Sequence, residues 1–193
     1  MKEALSSLLD QVRACRICAD RLPMGPRPVL QIGANARLLI AGQAPGRKVH
    51  QTGVPFDDPS GENLRAWLGI DRAVFYDPEK TAILPMAFCY PGRGQSGDLP
   101  PSDECAPLWR ERILSQLPNV KLTVIIGRYA QFYHLGIRGK ATLTETVRSF
   151  HEYLPDVFPL PHPSPRNGPW LKRHPWFERD VIPALKESVS KAV

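Results

Sequence analysis

The sequence predicts an α/β fold: a three-layer α/β/α sandwich around a central, mostly parallel, four-stranded sheet. Short apolar runs of strand length recur at residues 37–41 (RLLIA), 81–84, 122–126 (LTVII) and 157–160. Helical patterns lie between them, and strands alternating with helices imply a parallel sheet covered on both faces. Apart from Arg37 and Thr123, the runs at 37–41 and 122–126 are apolar, as strands buried on both sides are. With 193 residues, 42% hydrophobic and 23% charged, the chain is long enough for one sizeable core, so residues 1–193 are read as a single domain.

Taken in order, Leu5, Leu8, Leu9 and Val12 follow the i, i+3, i+4, i+7 spacing of an amphipathic helix that leads into Cys15 and Cys18. The first strand, 37–41, ends in Gly42-Gln43-Ala44-Pro45-Gly46, where glycine and proline force a loop. Ser60 is a suitable N-cap for a helix carrying Leu64, Trp67 and Leu68, and Gly69 is placed to stop it. After the second strand, Ser102 or Asp103 is expected to cap a helix through Trp109, Ile113 and Leu117. The third strand ends at Gly127 and a helix starts near Arg128 and Tyr129. The fourth runs into His162-Pro163-Ser164-Pro165-Arg166-Asn167, and residues 176–189 read as a helix interrupted or kinked by Pro183. The 21 prolines cluster at 23–28, 100–107 and 155–169, so much of the chain is ordered loop.

No stretch approaches the roughly 20 apolar residues of a membrane span, and the N-terminus lacks the order of a signal peptide. A soluble, cytoplasmic monomer is therefore expected. The net charge of +6 and pI near 9.3 favour an acidic partner such as nucleic acid. Four cysteines without a secretion signal argue against a disulfide framework and for metal ligation. Four thiolates hold zinc or an iron–sulfur cluster equally well by spacing alone.

In open α/β sheets, ligands bind outside the carboxyl ends of the strands, where the Gln43 loop, the Cys89 segment and the His162 loop would converge. Taken alone, the first loop is as readily a surface connection as a site, and a lone histidine such as His162 is more often structural than catalytic. The loop from residue 42 to 61 combines backbone freedom, the aromatic ring of Phe56, the carboxylates of Asp57 and Asp58, and the cations Arg47 and Lys48. The loop at 162–167 places an imidazole at a strand end and stiffens it with prolines.

Together, the two loops resemble one family. GQAPGRKVHQTGVPFDDPSG is similar, at equal length, to the first motif of the iron–sulfur uracil-DNA glycosylases, usually GEAPG followed by TGxPFxGxxG, and HPSPRN looks like their last motif, HPxxxxR or HPSPL. Cys15 and Cys18 before the first strand, Cys89 after the second and Cys105 at the next helix match that family's cluster-ligand pattern. The run Val124 to Ala130 looks like its buried strand and Gly-Arg-x-Ala turn. The resemblance extends from Cys15 to the C-terminal helix.

The resemblance implies a glycosylase that flips a damaged base out of DNA and hydrolyses its glycosidic bond, with a 4Fe-4S cluster, or alternatively zinc, on the four cysteines. It implies that His162 donates to the base carbonyl and that Phe56 stacks on the base beside Ala44 and His50. Asp57 or Asp58 would orient water and support the cationic sugar. Arg166 or Asn167 would fill the vacated stack, while Ser164, Arg47, Lys48 and Arg128 meet phosphates. Three positions depart from the pattern. Gln43 stands where the family has Glu, Pro85 where it has a base-reading Asn, and His50 where it has an acid. A histidine near this loop attaches covalently to the DNA sugar in one subgroup, but that subgroup's insertion is missing here. The leading expectation is excision of uracil. The alternatives are another deaminated base such as hypoxanthine or xanthine, a DNA-binding member without the chemistry, and a zinc-stabilised α/β protein with an unrelated small-molecule site.

Overall fold

A computed structural model describes residues 4–95, 97–136 and 139–193. Its centre is a four-stranded, wholly parallel sheet of β1 (Leu38–Ala41), β2 (Thr81–Ile83), β3 (Leu122–Ile126) and β4 (Val157–Leu160), in the order β2-β1-β3-β4. The chain leaves β1 to form β2 on one side, then crosses back to place β3 on the other. The carboxyl ends of β1 and β3 therefore flank the switch point at which such sheets bind ligands. Pro159 lies in β4, an edge strand, where a missing ladder donor is tolerated.

Alternate side chains of β1 serve opposite faces. Leu38 and Ile40 join a core with Leu64, Leu68, Phe75, Phe158 and Leu185, built by α3 (Pro59–Leu68), α7 (Leu143–Arg148) and α9 (Ile182–Ala192). Leu39 joins Leu8, Val12, Trp109 and Ile113 on the other face, under α1 (Leu5–Ala14) and α5 (Glu111–Leu114). A third cluster of Ala41, Ile125, Ala130 and Tyr153 seats α6 (Gly127–Leu135). The three-layer sandwich is thus realised. Among the described residues, no helix is long and apolar enough to cross a membrane.

Helix starts differ from expectation. Asp58, not Ser60, caps α3: its Oδ1 accepts from the Gly61 N–H at 2.9 Å, and Pro59 occupies the first turn, where a missing N–H costs nothing. Neither Ser102 nor Asp103 caps the next helix, which opens at Cys105 and continues through a π-helical turn, Ala106–Arg110, into α5. The Ser102 hydroxyl instead donates to Glu104 and lies 3.1 Å from Cys18 Sγ. Before α9, the Ile182 N–H reaches back to Phe177 O through a second π-helical turn, Phe177–Val181, so the ladder widens ahead of Pro183, which has no donor. Within the expected loop 42–61, residues Arg47–Thr52 form a short helix, α2, and after α3 residues Arg72–Phe75 form α4. Gly168–Arg173, α8, follows the His162 loop.

Candidate active site

Outside the carboxyl ends of β1, β2 and β4 lies a cavity of about 740 Å³, the size of a small-ligand pocket. β1 delivers its floor. Past Ala41 the ladder continues, with Met86 N–H donating to Gly42 O at 2.8 Å and Ala87 N–H to Gln43 O at 3.0 Å. Gln43, Ala44, Gly46 and Arg47 then line the wall.

Phe56 reaches the same wall in a conformation that side chains rarely adopt, with φ at 53°. The surroundings hold it there. Tyr76 donates its hydroxyl to Phe56 O at 3.3 Å, and Gly61 packs so closely that an added Cβ would stand 1.8 Å from that oxygen. The Phe56 ring meets Phe75 edge-on at 6.1 Å. This leaves an aromatic surface in the pocket fixed by backbone strain.

His162 sits at the end of β4, and its loop determines which ring nitrogen carries the proton. The Ser164 N–H donates to Nδ1 at 3.2 Å. An Nδ1 that accepts places the proton of a neutral imidazole on Nε2. Burial lowers the His162 pKa from its ordinary value, outweighing the opposite pull of Asp58 and Asp98, so the neutral form is favoured. The loop is pinned by its own amides: Asn167 Nδ2 donates to His162 O at 2.6 Å, and Asn63 Nδ2, from α3, donates to Pro163 O at 2.9 Å. The Ser164 hydroxyl accepts from the Arg166 N–H at 3.3 Å.

Among the residues anticipated from sequence, Gln43, Ala44, Arg47, Phe56, Asp58, His162, Ser164 and Arg166 share the pocket wall. The others lie elsewhere. Asp57 faces the neighbourhood of the Tyr76 hydroxyl, whose pKa it helps to raise. His50 is buried on α2, tilted against Tyr90 at 6.3 Å, and is held neutral by burial and by the charge of Arg27. Lys48 is exposed on α2, and Arg128 lies on α6 over the Tyr129 ring at 4.9 Å. Asn167 braces its own loop. Pro85 does line the pocket. Its carbonyl and that of Leu84 accept from Arg110 at 2.9 and 3.0 Å, a fully buried guanidinium that also donates to His134 Nε2 at 2.8 Å.

Two charged wall residues were not foreseen, Arg93 and Asp98. They pair across a small hairpin closed by Gly94 N–H to Gly97 O at 2.7 Å and Leu99 N–H to Gly92 O at 2.9 Å. Gly92, Gly94 and Gly97 signal a turn in the sequence, but nothing in it says which loop the turn folds onto.

The four cysteines are free thiols that line one small cavity with Ile17, Phe88 and Trp109. Among the described residues, no group of three or more His, Cys, Asp or Glu side chains is arranged to hold a metal ion. The chemistry of the donor set suits zinc or an iron–sulfur cluster. Burial, and then the neighbouring cysteines, push the Cys89 and Cys105 thiols up to about 11 and about 12, so thiolates gathered here require cationic compensation.

The pocket thus combines an imidazole N–H donor, two carboxylates, three guanidinium groups and an aromatic face at the switch point of a parallel sheet. The solution NMR structure of a "putative Uracil DNA glycosylase from Methanosarcina acetivorans" is similar at 14% identity over 81% of this chain and 93% of that one, with a TM-score of 0.48. The family model described as the uracil DNA glycosylase superfamily matches residues 30–186, from before β1 into α9 and through the loops that carry Gln43, Phe56 and His162. By that match, this chain belongs to the uracil DNA glycosylase superfamily.

Proposed function

We propose that this protein is a monofunctional DNA glycosylase that flips uracil out of DNA and hydrolyses its glycosidic bond. The observation that carries the reading is the tautomer of His162. With Nδ1 accepting from the Ser164 N–H, a neutral Nε2–H remains to donate to the base carbonyl as negative charge develops there. Phe56 stacks on the extruded base. The cationic sugar is supported by carboxylate on the same wall, where Asp58 lies and Asp57 does not. Arg47 and Arg166, at the wall, and Lys48 and Arg128, on the surface, meet the phosphates.

A second reading is favoured by one observation. Pro85 lines the pocket with its carbonyl already held by Arg110, so no side-chain amide reads the base edge from that position. Another deaminated base, such as hypoxanthine or xanthine, is the alternative substrate.

Cys15, Cys18, Cys89 and Cys105 would hold a 4Fe-4S cluster, with zinc as the alternative. Bound there, the group would tie the end of α1 to the segments before and within the Cys105 helix and would take no part in hydrolysis. Metal analysis and visible absorption of anaerobically purified protein distinguish iron from zinc.

The test of function incubates that protein with single- and double-stranded oligonucleotides carrying uracil, hypoxanthine or xanthine, followed by alkaline cleavage of abasic sites. Breaks at uracil that disappear in His162→Ala are expected. Breaks only at another base would move the substrate, and tight binding without breaks would leave a DNA-binding protein.

A further inference from the structure

Asp98 is an exposed carboxylate on the pocket wall that no motif announces. It is carried by the hairpin that pairs Arg93 with Asp98 at the pocket wall, and a side chain from the β1 loop reaches that hairpin: Gln43 Nε2 donates to Leu99 O at 3.0 Å. A Cβ built on Gly46 would lie 3.7 Å from Asp98 Oδ2 and 3.9 Å from Asp58 Oδ2, so the two carboxylates flank one point at the start of α2. They are not equivalent. Asp58 uses Oδ1 to cap α3, whereas the Asp98 carboxylate accepts no side-chain hydrogen bond among the described residues.

Resting on the glycosylase reading above, we propose that Asp98 is the catalytic carboxylate of this site, activating the water that attacks the sugar, and that Gln43 is the positioning residue that delivers it. As the C1′–N bond breaks, its electron pair leaves with the base, whose carbonyl oxygen is held by His162 Nε2–H. The water oxygen bonds to C1′ and its proton passes to the Asp98 carboxylate, which returns it to solvent. The departing base takes up one proton, so a single water is added across the bond.

The surroundings suit the role. The charged groups acting on Asp98 are Arg166 and Arg93, which favour the carboxylate, His162, which does so when protonated, and Asp58, which opposes it. Partial desolvation against the pocket wall is the largest effect, and the pKa is raised above the ordinary carboxylate value, towards that of a useful base. The arrangement also accounts for the amide at position 43. A carboxylate there would face the Leu99 carbonyl, acceptor against acceptor, and loosen the hairpin that brings Asp98 in.

The test compares wild type, Asp98→Asn, Asp98→Glu and Gln43→Glu in single-turnover cleavage across pH, on whichever deaminated base the wild type cuts. Binding is measured to a duplex carrying the 2′-fluorinated form of that nucleoside, whose glycosidic bond resists cleavage. Asp98→Asn is expected to slow cleavage about 100-fold or more and to displace the acid limb of the pH profile, with the duplex bound at least as tightly because a negative charge has gone. Asp98→Glu should recover part of the rate, and Gln43→Glu should lose rate despite supplying an acid. An Asp98→Asn enzyme within about threefold of wild type with its acid limb in place overturns the proposal while leaving the glycosylase reading intact. A wild type that cuts none of the bases overturns both.

Discussion

Replacing His162 with alanine separates two contributions that the structure assigns to one ring. Its Nδ1 accepts from the Ser164 N–H at 3.2 Å, so the substitution leaves one backbone donor without its partner, a loss of about 1 kcal/mol of stability. In a chain of this size that lowers the melting temperature by roughly 2–4 °C. The Nε2–H is the donor for the developing negative charge on the base, and loss of one such preorganised donor costs about 3 kcal/mol of barrier, or roughly 100- to 1,000-fold in rate. The variant should therefore stay folded and become nearly inactive. Because burial lowers the His162 pKa, any loss of wild-type cleavage from protonation of this ring should have its midpoint below pH 6.5, the ordinary imidazole value. Protonation would also turn Nδ1 into a donor facing the Ser164 N–H. Single-turnover cleavage of a labelled duplex, with a thermal melt of each variant, measures both quantities. A His162→Ala enzyme within about threefold of wild type, or a half-maximal rate at pH 6.5 that moves in the variant, would refute the tautomer argument.

Three further outcomes are expected. Phe56→Ala removes the stacking face and should weaken binding to a duplex carrying an extruded base by about 1–3 kcal/mol, measured by titration. Gly61→Ala places a Cβ 1.8 Å from Phe56 O and should destabilise the fold by about 3 kcal/mol or more in thermal unfolding, with loss of cleavage because the strained Phe56 turn rests on that glycine. Burial, and then the charge of Arg110, lower the His134 pKa to about 3, so between pH 6.5 and 3 the unfolded chain binds a proton that the folded one refuses. Stability is then full above pH 6.5 and falls with acid by up to about 1.4 kcal/mol per pH unit from this group, and a His134→Gln variant should show a shallower decline in denaturant titrations at pH 7 and pH 4.5.

Much of the fold was legible because its signals are local. Residues 37–41, 122–126 and 157–160 read as strands from apolar content and strand length, and each is a strand to within one residue. Glycine and proline punctuation placed the loops at Gln43 and His162 at strand ends, and both line the pocket. Cap choice was less legible. Asp58 and Ser60 are both suitable side chains, and only the path of the preceding turn, bent at Phe56 with φ at 53°, decides which one meets a free N–H.

From the sequence alone came the alternation of strands and helices, the two loops that bear His162 and Phe56, and the four cysteines that line one cavity. Tertiary structure alone decided that Asp58 rather than Asp57 faces the pocket, that Asn167 braces its loop, and that His50 is packed away beside Tyr90. It also decided that a hairpin some fifty residues beyond Gln43 in the chain brings Asp98 to the site. The division has a physical cause. Periodicity and turn chemistry act between neighbours a few residues apart, and composition records them, whereas the approach of Leu99 to Gln43 depends on β1 lying between β2 and β3, a placement set by the packing of the whole sheet.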